Sequence, residues 1–372
     1  MPQTSPSFAK VMRFSDWLCK GLGGSDLMMN RFFDNSPIGR TLITLVIAAA
    51  GAALAYALNL PVYMLTGPAI AVSLAGLVGL RVQIDPRFRD VCFVVLGLTV
   101  GAGFSHEALG TMIRWPVAFA VISLLTWATM LGCRAVLERG FGFACNTALL
   151  AGAPGHLSFV IAMAESSGRD VVRISVTQSV RLLMLTLVVP FLALAMGVDL
   201  SGAVTLQGVG WPLWVLGVLA VLAVIASRLL TLWRVHAPLL IGAMLVTGVW
   251  QLSGVAPGVM PQWLALPAYV ALGALIGTRF SGISAADLLR NLAAGLAITG
   301  VAVVFAGIAA VLVAVALGMP ASHVLLAFAP GGLETMIAMG VVLGVAPGFV
   351  AACHITRLMV LSVLLPVMAR KR

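Results

Sequence analysis

Charge is what this chain has least of. Only 9% of its 372 residues are charged, against 61% hydrophobic. No soluble globular protein of this length has that balance. Cysteine is sparse too. The five present (Cys19, Cys92, Cys133, Cys145 and Cys353) are scattered and include no Cys-x-x-Cys pair. That argues against a disulfide framework and a structural zinc site, and leaves small buried apolar residues as the default reading. The five histidines (His106, His156, His236, His323 and His354) lack metal-ligand spacing. A membrane monooxygenase would need clustered ligands; at most His156 and His354 could approach each other. No nucleophile–base pattern and no glycine-rich nucleotide loop stand out. The expectation is no enzyme, no cofactor and no metal.

Residues 1–40 form the one sizeable polar segment. They lack the pattern of a signal peptide and are too short for a DNA-binding domain with its own core. The formal net charge of +10 is better read as basic residues flanking membrane spans on the cytoplasmic side than as a nucleic-acid surface.

Apolar stretches of about 20 residues, the length that crosses ~30 Å of hydrocarbon, recur from Thr41 to the end. They are organised as two copies. Leu149–Leu157, with Ala153-Pro154-Gly155-His156 inside it, aligns with Leu325–Leu333, with Ala329-Pro330-Gly331-Gly332 inside it. The same 176-residue offset relates Ile161-Ala162-Met163 to Ile337-Ala338-Met339, Arg181-Leu182 to Arg357-Leu358, and Pro190 to Pro366. Leu96-Gly97, Gly101 and Phe104 likewise match Leu272-Gly273, Gly277 and Phe280. With a one-residue slip, Leu65-Thr66-Gly67-Pro68 aligns with Leu240-Ile241-Gly242-Ala243. A repeat that keeps order and register this far gives four regions: a cytoplasmic segment 1–40, membrane repeats 41–200 and 201–369, and a basic tail 370–372.

Each repeat holds six apolar segments: 41–59, 62–80, 91–105, 115–133, 143–164 and 171–196, then 210–228, 236–253, 264–280, 291–317, 323–344 and 347–369. Charge bias decides which cross. If all twelve crossed, seven basic residues would lie outside against thirteen inside. If segments 143–164 and 323–344 enter and leave on one side, only Arg114 stays outside against nineteen inside. Both segments carry Ala-Pro-Gly near their midpoints. Proline breaks the helical ladder, glycine lets the backbone turn, and each half is too short to span. The alternative is a proline-kinked crossing helix. The expected fold is therefore an all-α polytopic membrane protein of two inverted repeats, each with five transmembrane helices and one re-entrant Pro-Gly hairpin. Both termini face the cytoplasm, in a bacterial inner membrane. Broken helices meeting near the midplane are the architecture of many secondary transporters.

The expected site gathers around the hairpin tips. Arg181 and Arg357 sit in the middle of apolar runs, where a guanidinium costs at least ~2.5 kcal/mol on insertion scales. Three residues before each lies a polar residue on the same helical face, Gln178 or His354. Pro154, Gly155, His156 and Ser158 belong to the first tip; Pro330, Gly331, Gly332 and Glu334 to the second. Two readings stand side by side. In one, fixed cations and helix N-termini bind a small carboxylate or phosphate. In the other, the arginines cap hairpin carbonyls or pair with Glu334. Gly67, Pro68 and Gly242 are read first as close-packing positions, with a second helix break as the alternative.

The two Pro-Gly segments, each followed by a Gln- or His-containing Arg-Leu helix, resemble the AbrB family of duplicated bacterial membrane proteins over about residues 40–369. The family shares its name with a soluble DNA-binding regulator but does not look like it. Pro330-Gly331-Gly332-Leu333-Glu334 is similar to the family's Pro-Gly-Gly-x-x-Glu pattern with shortened spacing. The first copy departs, with His156 at the second glycine and Ser158 opposite Glu334. The resemblance implies a link by name to expression of an alkylation-response dehydrogenase gene, and some members carry an ammonia monooxygenase label. The expected function is secondary transport of a small organic anion, with proton or sodium coupling left open. The alternative is a non-transporting membrane sensor or scaffold that regulates gene expression. Expected partners are the anion and the lipid bilayer, with no direct nucleic acid; a homodimer is compatible with an elevator-like mechanism.

Overall fold

The computed structural model describes residues 36–104, 115–155, 157–198, 208–233, 235 and 237–370. Most of the N-terminal segment and Lys371-Arg372 of the basic tail lie outside them. The described residues form helices α1 (Pro37–Ala57), α2 (Tyr63–Leu77), α3 (Pro86–Gly101), α4 (Trp115–Phe141), α5 (Cys145–Gly152), α6 (Leu157–Ser166) and α7 (Val171–Ala195). There follow α8 (Leu213–Leu232), α9 (Pro238–Ser253), α10 (Gln262–Gly277), α11 (Ala285–Leu317), α12 (Ala321–Phe328), α13 (Leu333–Val342) and α14 (Pro347–Arg370). A 3-10 turn, Thr278–Phe280, extends α10.

Local chemistry sets several of the starts. Ser36 accepts the Gly39 amide at 2.9 Å ahead of Pro37, and Asp85 accepts the Arg87 amide at 2.8 Å ahead of Pro86. Ser284 caps the 33-residue α11, which ends on Gly318 at φ 63°. Short polar caps and proline in the first turn are favoured at helix starts, and left-handed glycine at helix ends.

Seven of these helices are long and apolar enough to cross a membrane: α1, α4, α7, α8, α10 with its 3-10 turn, α11 and α14. Burial places them. The apolar windows of α7 and α10 are 56% buried, while that of α8 is 28% buried, so α7 and α10 are central and α8 peripheral. The remaining three helices among the ten expected crossings are shorter. α2 has 15 residues, α3 and α9 have 16 each, or about 22–24 Å at 1.5 Å per residue.

The helices pack in two rows. One runs α1–α2–α10–α3–α9–α8, and the other runs α7–α11–α4–α14. Glycines set the closest approaches in the first row. A Cβ on Gly97 would lie 2.6 Å from that of Ala243, and one on Gly101 2.7 Å from that of Thr247, joining α3 to α9. On the α10–α2 side, a Cβ on Gly273 would lie 2.6 Å from the Leu65 carbonyl oxygen, and one on Gly277 2.6 Å from the Val72 Cβ. Small residues four apart let helix backbones meet.

The segments α5–α6 and α12–α13 pack against the second row. α5 and α6 have 8 and 10 residues, as do α12 and α13. Each pair is separated by an extended Ala-Pro-Gly turn. Arg173 in the first turn of α7 donates to the Phe141 carbonyl at 2.8 Å, and its guanidinium lies 3.6 Å from the Phe143 ring centroid. The start of α7 therefore lies beside the end of α4.

Candidate functional site

Both buried arginines spend their hydrogen bonds on backbone. Arg181, 0% exposed, donates from Nη2 to Ala153 O at 3.0 Å and from Nη1 to Gly152 O at 3.4 Å. Arg357, 3% exposed, donates from Nη1 to Ala329 O at 3.0 Å and from Nη2 to Phe328 O at 2.8 Å and Ala327 O at 3.2 Å. Apart from Ala329 O, which also accepts the Gly331 amide at 2.9 Å, these are carbonyls that α5 and α12 leave unpaired at their C-termini. The residues that carry them are buried, so a protein donor satisfies them, and a cation also complements the negative end of the helix dipole. Gln178 adds a bond to Leu150 O at 2.7 Å. Among the described residues Arg357 and Glu334 form no ion pair. Of the roles weighed from sequence, carbonyl capping is the contact both arginines make.

His354 does something different. It is 2% exposed, and its Nδ1 lies 3.0 Å from the Val350 carbonyl one turn earlier. A carbonyl can only accept, so the tautomer that bonds Val350 carries its proton on Nδ1 and leaves Nε2 as an acceptor. Nε2 lies near the Ala329 backbone but makes no hydrogen bond of ordinary geometry.

A cavity of about 450 Å³ lies between the two rows, with residues of both Pro-Gly turns in its wall. Gly155 of the first tip and Gly331, Gly332 and Glu334 of the second line it, together with His354 and Arg357. Across from them stand the start of α3 (Arg89, Asp90), the start of α9 (Ala237–Leu239) and Arg279. Arg89 and Asp90 bond each other at 2.8 Å, which largely offsets their charges. That leaves Arg357 and Arg279 against Glu334.

Two uncapped helix starts also open here. No side-chain hydrogen bond closes α13, whose N-cap is Gly332, or α9, whose N-cap is Ala237. Free amides at a helix N-terminus favour an anion. Ala237 has φ 49° and the corresponding Val62 ahead of α2 has φ 52°. Positive φ on an alanine or a β-branched valine is strained, and such strain concentrates at functional sites.

Several residues singled out by sequence fall elsewhere. Arg181 and Gln178 are buried behind the first tip, against α5, and do not line the cavity; Pro154 and Pro330 hold the turns without lining it. His156 and the side chain of Ser158 lie outside the described residues. Gly67, Pro68 and Gly242 do not break helices: α2 and α9 run through them. A Cβ on Gly67 would lie 2.7 Å from that of Ala55, and one on Gly242 2.8 Å from the Ser227 amide nitrogen. Close packing explains these glycines, and the irregular backbone sits five residues earlier, at Val62 and Ala237. The cavity's Arg89, Asp90 and Arg279 were legible only as charges flanking spans. Among the described residues, no three His, Cys, Asp or Glu side chains gather as a metal site.

Residues 63–372 match the family model described as transition state regulatory protein AbrB. The chain is 26% identical over 300 residues to the uncharacterised protein YhjN of Bacillus subtilis (strain 168), covering 76% of this chain and 78% of that one. It is also 26% identical over 228 residues to a protein of Escherichia coli (strain K12) provisionally named regulator AbrB, covering 60% of this chain and 65% of that one. The family match begins at the first residue of α2 and takes in both Pro-Gly turns and every residue lining the cavity; the chain belongs to the AbrB family.

Proposed function

We propose that this chain is a secondary transporter of a small anion, built from two inverted repeats of five crossings and one re-entrant hairpin each. The observation that carries the reading is the cavity. It lies where the two Pro-Gly tips converge, bears a net excess of arginine, and receives two uncapped helix N-termini. The paired architecture supports the repeats. α1 packs on α2 as α8 packs on α9, α3 on α9 as α10 on α2, and α7 on α11 as α14 on α4. Arg181 and Arg357 cap matching carbonyls, and left-handed residues precede both α2 and α9. Short α3 and α9 fit the same picture, because the cavity at their starts thins the barrier they must cross.

With both termini cytoplasmic, the starts of α3 and α9 and the end of α10 face the cytoplasm. The cavity then opens inward, and Arg279 and Glu334 are its charged wall. The relative named as a regulator suggests a second reading, a membrane protein that controls gene expression. Transport accommodates that reading if the regulatory effect follows from the level of the transported metabolite.

The test is a thermal-shift screen of purified protein against small carboxylates, phosphates and inorganic anions, followed by uptake into proteoliposomes. A ligand at 100 times its dissociation constant adds about 2.7 kcal/mol. Arg279→Gln is the informative variant, because Arg279 caps no hairpin carbonyl. Saturable uptake that Arg279→Gln weakens supports transport. No stabilisation by any anion, from protein that is folded, sinks it in favour of the regulatory reading.

A further inference from the structure

The cavity has hydrogen-bond acceptors that a plain anion cannot use. Glu334 occupies the first turn of α13 and faces the cavity. Among the described residues its carboxylate makes no side-chain hydrogen bond and no ion pair within 4 Å; Arg279 is the opposite charge within electrostatic reach. His354 lines the same space, almost fully buried; in the tautomer that donates from Nδ1 to Val350, its Nε2 is an acceptor without a partner. A carboxylate beside an anion site repels the ligand, and a buried acceptor without a donor is costly. Both features become favourable if the ligand brings a donor of its own. The donors for its anionic end are also present: Arg279, the N–H groups of Arg357 left over from carbonyl capping, and the free amides at the start of α13.

Resting on the anion-transport reading, we infer that the substrate is a small carboxylate with a hydrogen-bond donor close to the acid group, an amino acid or a hydroxy acid. Its carboxylate lies toward Arg279 and the α13 N-terminus, and its ammonium or hydroxyl is accepted by Glu334 and His354 Nε2. Glu334 favours the ammonium, because it supplies charge as well as an acceptor. In the first repeat the position of Glu334 is taken by Ser158, so the charged acceptor belongs to one hairpin and the ligand sits asymmetrically between the tips.

The experiment compares matched ligands on the purified full-length chain by calorimetry and thermal shift. One set is propionate, lactate and alanine; the other is succinate, malate and aspartate; phosphate and chloride serve as simple anions. The expected result is that, in at least one set, the hydroxy or amino member binds about tenfold or more tightly than the plain acid, as a site built around unpaired acceptors requires. Glu334→Gln, which keeps shape and loses charge, should remove the preference for the amino member while plain acids bind at least as well as before. Equal binding of all members of both sets, or tight binding of phosphate or chloride alone, overturns the inference and leaves anion transport standing. So does a Glu334→Gln variant that keeps its amino preference. If no ligand of any kind binds the folded protein, the transport reading fails and this one with it. The ligand comparison stands on the unmodified chain, so a variant that fails to fold does not shield the inference.

Discussion

At the scale of the residue, two kinds of arginine serve different ends and should behave differently. Arg181 and Arg357 hold carbonyls; Arg279 faces the cavity without such a task. A buried backbone acceptor left without its donor costs about 1–3 kcal/mol. Arg357→Gln strands the Phe328 and Ala327 carbonyls, since Ala329 O keeps the Gly331 amide at 2.9 Å, and Arg181→Gln strands up to two, so both should lower the melting temperature without ligand. Arg279→Gln should melt close to the unmodified protein yet lose stabilisation by anions. Thermal melting with and without ligand separates the two classes; a destabilised Arg279→Gln beside stable Arg181→Gln and Arg357→Gln would reverse the assignment. The sequence marked Arg181 and Arg357 because an arginine inside an apolar run is conspicuous. It could not distinguish capping from ligand binding, since both put a guanidinium at a Pro-Gly turn. Arg279 was overlooked for the opposite reason: at the end of a span it looks like any flanking charge.

At the scale of the element, glycine carried two meanings that sequence alone does not separate. Gly97, Gly101, Gly273 and Gly277 matched across the repeats, and the structure gives the reason, backbone contact between α3 and α9 and between α10 and α2. Gly67 and Gly242 serve the same end, although proline beside Gly67 suggested a broken helix. The irregular backbone at Val62 and Ala237 was illegible, because positive φ normally announces itself through glycine or asparagine. The Ala-Pro-Gly turns were legible because proline and glycine together disfavour any continuous helix. The packing claim has a direct test. Gly273→Leu drives a side chain into the Leu65 backbone, and overpacking of well-packed sites costs about 1–3 kcal/mol and more where backbone cannot move. Gly300 on α11 has nothing within 4 Å of an added Cβ. Gly273→Leu should therefore give aggregated or early-melting protein on size exclusion and thermal scans, while Gly300→Leu behaves like the parent. Equal tolerance of both would mean the α2–α10 contact is not a close one.

At the scale of the whole molecule, the proposed inverted topology makes the two repeats present the same elements to opposite sides. Gly168 follows α6 and Gly344 follows α13, each at positive φ with open space around it. In a background without the native cysteines, Gly168→Cys should react with an impermeant thiol reagent from the cytoplasm and Gly344→Cys from outside. Reaction of both from one side would remove the inverted repeat, and with it the inward direction assigned to the cavity. The cavity itself adds a sharper comparison. Leu239 lines it at the start of α9, while the corresponding Met64 at the start of α2 is 1% exposed. The two proposed repeats thus differ, open beside one helix start and closed beside the other. A transporter that alternates must at times exchange these environments. In the absence of substrate, Leu239→Cys should label rapidly from the cytoplasm and Met64→Cys hardly at all from outside. A transported ligand that shifts the population should slow the first reaction and speed the second, because a ligand moves an equilibrium only by binding its states differently. Unchanged rates for both, under a ligand shown to bind, would describe a fixed one-sided pocket and turn the protein from carrier to sensor.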